Sequence, residues 1–156
     1  MKLPLLLFAG AALWLVSFGS LLTADDAEPN AIKKERGKFA GKWQVVSAVL
    51  DGAELKGKYV EQVAVINESD GRWAIVFDDD TIIRGTSEID PTKYPKTVDL
   101  TITEGENVGQ TILGIYEFNA DTRKICIADA GKERPKQFLA PAGSGRSLVL
   151  LKRLKK

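Results

Sequence analysis

The sequence predicts an all-β fold, roughly eight short antiparallel strands in an up-and-down barrel preceded by a short N-terminal helix. Three observations predict it. Alternating, β-rich segments recur roughly 8 to 15 residues apart, separated by turn residues such as Asp51-Gly52 and Asn119-Ala120-Asp121. Helical periodicity is confined to one stretch before Gly41. The connections are short and sequential, which favours neighbouring hairpins in order, the meander of a closed barrel, over a Greek-key sandwich.

The bulk numbers agree with one such domain. At 156 residues and 44% hydrophobic composition the chain is long enough to bury a single core. Lys and Arg number 22 against 21 Asp and Glu, a net charge of +1 that falls to 0 if Lys2 leaves with a leader. That balance carries no nucleic-acid footprint, and the expected state is a monomer. Cys126 is the single cysteine, so no intramolecular disulfide forms, and Ile125 and Ile127 place its thiol buried in a strand.

Taken in order, the chain begins with Lys2, an apolar run from Leu3 to Leu22, then Thr23-Ala24 and Asp25-Asp26. This is the layout of a secretory signal cut after Ala24 (residues 1-24), and the protein is expected to be secreted or periplasmic. The run also reaches the roughly 20 residues that span a bilayer, so an uncleaved anchor at residues 3-22 stays open as the alternative and the one route to a membrane. Asp25 to Asn30, with Pro29, reads as a flexible linker, and Ala31 to Ala40 as a brief helix with Ile32 and Phe39 on one face. The barrel domain is expected over residues 41-156.

Strand one runs from Lys42 to Leu50 and puts Trp43, Val45, Ser47 and Val49 on one face. Glu54 to Lys58 is a polar connection. Tyr59 to Asn67 and Arg72 to Phe77 form a hairpin about Glu68 to Gly71, with Trp73, Ile75 and Phe77 on one face. Thr81 to Ile89 follows, and Gly85 within it suggests a bulge. The prolines of Asp90-Pro91-Thr92-Lys93-Tyr94-Pro95 make a rigid connection, after which Val98, Leu100 and Ile102 alternate with Asp99, Thr101 and Thr103. Thr111 to Phe118 and Lys124 to Ala128 are the next pair. Lys136 to Ala140 is expected to begin the last strand and Ser147 to Leu151 to complete it.

Gly41-x-Trp43 opening the first strand, with Arg153 just after the last, is similar to the lipocalin and wider calycin signature. In it the tryptophan packs at the closed end of a barrel beneath a basic side chain from the final strand. An indole face and a guanidinium within about 6 Å attract by roughly 0.5 to 2 kcal/mol. The longer series Gly41-x-Trp43, Asp51-Gly52, Asp90-Pro91-Thr92-Lys93-x-Pro95-Lys96, Gly114-Ile115-Tyr116, Cys126, Arg134-Pro135 and Leu151-Lys152-Arg153 resembles a family of exported planctomycete domains of unknown function, lipocalin-like in fold. The resemblance spans Gly41 to Arg153 and departs at Tyr94, where that family more often has a basic residue. It implies a lipocalin-like barrel and export, and no chemistry.

The residue inventory excludes several chemistries. With no histidine, Ser-His-Asp and Cys-His nucleophiles and His-ligated metals are out, and one cysteine removes thiolate zinc and CxxC redox sites. No Ser-x-x-Lys occurs. Asp78-Asp79-Asp80 reads as a solvated hairpin tip, because consecutive strand residues point to opposite faces. No metal, cofactor or catalytic residue is assigned, and the expectation is a protein that is not an enzyme.

Trp73, Phe77 and Tyr116 are the candidate lining of a ligand cavity, since a barrel of this size holds either its own side chains or one small ligand. Arg134 is a candidate for an anion or a surface ion pair, and Lys152 to Lys156 a basic tail. Asn67-Glu68-Ser69 matches a glycosylation sequon. Two functions follow: a barrel that binds a small apolar molecule, or a filled barrel that serves as a protein-interaction or envelope-structural module. An internal pocket near the roughly 300 Å³ lower bound for ligand sites separates them.

Overall fold

The computed structural model describes residues 24–155, and the predicted signal segment from Leu3 to Leu22 lies outside them. Helix α1 (Ala24–Phe39) is followed by β1 (Gly41–Leu50), β2 (Ala53–Leu55), the one-turn helix α2 (Lys58–Glu61), β3 (Val63–Asn67), β4 (Arg72–Phe77), β5 (Asp80–Asp90), β6 (Lys96–Glu104), β7 (Thr111–Asn119), β8 (Thr122–Ala128) and β9 (Arg146–Arg153). Every ladder is antiparallel, in the order β2-β1-β3-β4-β5-β6-β7-β8-β9, and β1 also pairs with β9. That last pairing closes an eight-stranded barrel, with β2 as an extra strand outside the ring. Closure removes the unpaired edges that an open sheet would expose. Among the described residues no helix is long and apolar enough to cross a membrane.

The two chain ends of the barrel are stitched together by β1. Its first half pairs with β3 (Trp43 opposite Val65) while its whole length pairs with β9 (Trp43 opposite Arg153, Leu50 opposite Ser147). Its second half leaves β3 and takes β2 as partner (Ala48 opposite Leu55). The register against β9 slips by one residue between Val45 and Ser47. This bulge corrects the facing expected for strand one: Trp43 and Val45 point inward, Val46 is 45% exposed, and Ala48 is buried in place of Ser47. One extra residue flips the side-chain alternation, so strict parity fails beyond it. A second slip, in β5 between Arg84 and Gly85, stands where the glycine suggested one.

Three segments differ from their sequence reading. Residues 25–30 belong to α1 rather than to a linker. Pro29 removes one backbone donor without ending the helix. Residues 53–61, read as connection and strand, form β2 and α2, and α2 buries Val60 in a cluster with Trp43, Val45, Ala48 and Leu151. Lys136 to Ala140 is not a strand. It lies in the long β8–β9 loop, whose Ala140 and Pro135 are buried and whose Leu139 carbonyl accepts the Cys126 thiol at 3.5 Å.

Candidate functional site

Helix α1 closes one end of the barrel with the face that carries Ile32, Glu35, Arg36 and Phe39, residues spaced three and four apart. Phe39 inserts among aromatic rings from β7, meeting Tyr116 at 4.8 Å and Phe118 at 5.1 Å, both edge-on. Trp43 is fully buried, and its indole N–H donates to the Phe39 carbonyl at 2.7 Å, tying the start of β1 to the end of α1. The Arg153 guanidinium lies 4.2 Å from the centre of the Trp43 ring. Its Nη1 donates to the Ala40 carbonyl at 2.6 Å and its Nη2 to that of Lys38. Gly41, at φ 121°, leaves the space: a Cβ there would stand 3.1 Å from Arg153 Nη1. Gly41, Trp43 and Arg153 thus form one structural latch across the ends of the chain.

The same floor contains charge. Glu35 is buried and ion-paired to Lys38 at 2.8 Å and to Lys96 of β6 at 2.6 Å. Burial works to raise its pKa, but the hydrogen bonds and charges of the two lysines outweigh it, and the net shift is downward. The buried Tyr116 hydroxyl lies beside this carboxylate, and burial, then the Glu35 charge, push it well above the ordinary phenol range. Arg36 donates to Ser87 through Nη1 at 2.6 Å, which ties α1 to β5.

Above this floor the barrel is not completely filled. A lumen of about 150 Å³ is walled by side chains from β3 to β9, among them Trp73, Ile75, Leu100, Ile112, Ile127 and Val149. Its collar residues Ile102, Ile112 and Ile127 also border a mouth pocket of about 360 Å³ at the far end, whose polar lining includes Asn107, Gln110, Asp129 and Ser147. Besides Ser87, which Arg36 engages, two polar side chains interrupt the apolar wall near the floor. Asn67 has a buried Nδ2 without a hydrogen-bond partner among the described residues.

The second is Arg123, only 2% exposed, whose Nε and Nη1 likewise lack a partner among the described residues. Arg123, Ile125 and Ile127 alternate along β8, and all three line the lumen. The guanidinium is 5.0 Å from the Phe39 ring and 4.8 Å from the Trp43 ring. Burial, and then repulsion from Arg153, push its pKa down to about 9, so it still carries its charge at neutral pH.

Of the three candidate ligand-lining residues, the structure brings one to the lumen. Trp73 lines it, with its indole N–H donating to the Thr86 carbonyl at 2.9 Å and its ring lying over Gly85. Phe77 continues the same face but does not line the lumen; it stacks on the exposed Tyr59 at 6.5 Å. Tyr116 belongs to the floor, under Phe39. Arg123 was missed because the strand was expected to begin at Lys124. Its phase with Ile125 and Ile127 was the available signal.

The remaining sequence features are structural. Asp78 and Asp79 make the β4–β5 turn with φ of 53° and 68°, and Lys42 pairs with Asp79 at 2.9 Å. Arg134 is engaged by Asp99 at 2.6 Å and by the Val98 and Gly114 carbonyls at 3.1 and 2.8 Å. The buried Nδ2 of Asn67 is not open to glycosylation. Lys152 and Arg153 are residues of β9, which shortens the basic tail.

The fold and site define a closed, eight-stranded antiparallel barrel with a helix-capped floor and a small, mostly apolar lumen. No family model, no curated protein and no solved structure matches the chain.

Proposed function

We propose that this is an exported, non-enzymatic, lipocalin-like barrel that binds one small apolar-bodied molecule in its lumen. The observation that carries the reading is the lumen itself, about 150 Å³ of space walled almost wholly by aliphatic and aromatic side chains and bordered by the collar of the mouth pocket. Empty apolar space of this kind forfeits dispersion contacts, which a fitting ligand restores. Its volume is about half the roughly 300 Å³ that was to separate the two readings, so by that measure a drug-sized ligand does not fit and the binder reading rests on a smaller one, since an engineered cavity of about 150 Å³ takes benzene. The ligand is therefore a compact molecule or a short chain. The apolar leader in the sequence supports export.

The partial filling of the interior by Trp43, Val45, Leu151 and their neighbours favours the second reading, a display scaffold for protein or envelope contacts. A panel of small hydrocarbons, alcohols and acids, screened by thermal shift and by two-dimensional NMR on the purified barrel, separates the two. Saturable shifts at Ile112, Ile127 and Trp73 are expected. If no compound perturbs the lumen residues, the scaffold reading stands instead.

A further inference from the structure

We infer that the lumen is built for an amphiphile with a single anionic head, a short apolar carboxylate that enters head first and places its carboxylate against Arg123. This rests on the reading of the barrel as a small-molecule binder and adds the chemical class of the ligand. Three observations carry it. Arg123 is almost completely buried and in contact with the lumen, and its Nε and Nη1 donors have no partner among the described residues. An isolated buried cation is costly, and an anion that accepts its hydrogen bonds removes most of that cost.

The charged group that acts on Arg123 is a second cation, Arg153, and the buried carboxylate of the floor, Glu35, is held by Lys38 and Lys96. The faces of Phe39 and Trp43 offset part of the charge, but an aromatic face accepts no lone-pair hydrogen bond and leaves the two donors free. Finally, polarity is graded along the lumen: Arg123 and Asn67 stand near the floor, and the isoleucine collar stands at the mouth. From Arg123 to Ile127 the strand rises roughly 13 Å, room for a short aliphatic tail pointing outward. A charge-assisted contact with Arg123 fixes the head, and the collar takes the tail.

The test compares hexanoate with hexan-1-ol and hexylammonium, by calorimetry and by NMR, on the full barrel and on Arg123→Met and Arg123→Lys. Hexanoate is expected to bind roughly tenfold or more tightly than hexan-1-ol, the discrimination one charged hydrogen bond gives, and hexylammonium more weakly than either. Arg123→Met should erase the preference for the acid while keeping hexan-1-ol binding; Arg123→Lys should retain part of it. In the unsubstituted protein the Arg123 Nε resonance should move with hexanoate and not with hexan-1-ol, a readout that stands even if the variants fold poorly. Equal affinity for acid and alcohol, or an Arg123 signal indifferent to hexanoate, overturns the inference and leaves the apolar binder intact. If neither compound binds, both readings fall together.

Discussion

The floor and the mouth of this barrel are built on different principles. At the floor, distant parts of the chain are cross-linked by side chains: Arg153 to Lys38 and Ala40, Arg36 to Ser87, and Glu35 to Lys96, while Trp43 ties β1 to the Phe39 carbonyl four residues before it. At the mouth, the β6–β7 loop satisfies itself locally, with Ile102 N–H donating to the Gln110 carbonyl at 3.0 Å and Gly109 N–H to that of Ile102 at 2.9 Å. The floor therefore carries most of the side-chain ties that close the fold, while the mouth has fewer, among them Asp51 Oδ1 accepting from the Gly145 N–H at 2.8 Å. Substitutions graded from floor to mouth test that division.

The largest effect is expected at Trp43. Trp43→Ala removes a fully buried indole, leaves the Phe39 carbonyl without its donor and deprives Arg153 of its ring. A loss of about 3 to 5 kcal/mol is expected in equilibrium urea unfolding. An unchanged midpoint would show that the closure of β1 on β9 does not depend on the latch.

Glu35→Gln comes next, at about 1.5 to 3 kcal/mol, because the carboxylate is buried while its lysines can regain water. The pH dependence follows from the sign of the shift. The net folded pKa of Glu35 lies below its ordinary value of 4.5. Its contribution is thus complete above the unfolded value and is lost as pH falls through the folded one. The gap in stability between the protein and Glu35→Gln should be full at neutral pH and close as pH falls through the depressed folded-state value of Glu35. A gap that persists in acid would show that packing, not charge, holds this residue.

Much of the barrel was legible from local patterns. The turn residues and the alternation of Val98, Leu100 and Ile102 place β6 and its neighbours, and Gly41, Trp43 and Arg153 mark the two ends that meet. What stayed hidden depends on long-range geometry. The bulge at Val46 has no local signature, yet it exchanges Ser47 for Ala48 in the core. Lys136 to Ala140 has a strand's composition but lies in the β8–β9 loop, where the Leu139 carbonyl accepts the Cys126 thiol while the Leu139 side chain stays exposed. The floor was harder still. Nothing adjacent in sequence announces that Glu35 will meet Lys96, 61 residues on. An arginine beside a turn reads as solvated, and only the closed ring turns Arg123 inward.

Between floor and mouth stands Gly85, directly opposite Trp73 in the β4–β5 ladder. A Cβ there would lie 2.3 Å from the Thr101 carbonyl oxygen and 2.4 Å from Trp73 Cζ2, and the first of these is backbone that cannot step aside. Gly85→Ala is expected to cost about 1 to 3 kcal/mol through overpacking. It should also move the Trp73 indole N–H resonance, because the ring must tilt away from Thr86. A stability change without that resonance shift would place the strain in the β5–β6 register rather than in the lumen wall.

The smallest effect is expected at the collar. Ile112 borders both lumen and mouth, so Ile112→Val removes one methylene from a wall already facing open space. The loss should sit at the low end of the roughly 0.5 to 1.5 kcal/mol usual for this change, since fewer neighbours lose contact than in a filled core. The urea m-value should not change, because the surface exposed on unfolding is nearly the same. If the collar instead proves as sensitive as Trp43, the mouth is part of the cooperative core, and the structural division between a fixed floor and an adjustable entrance is wrong.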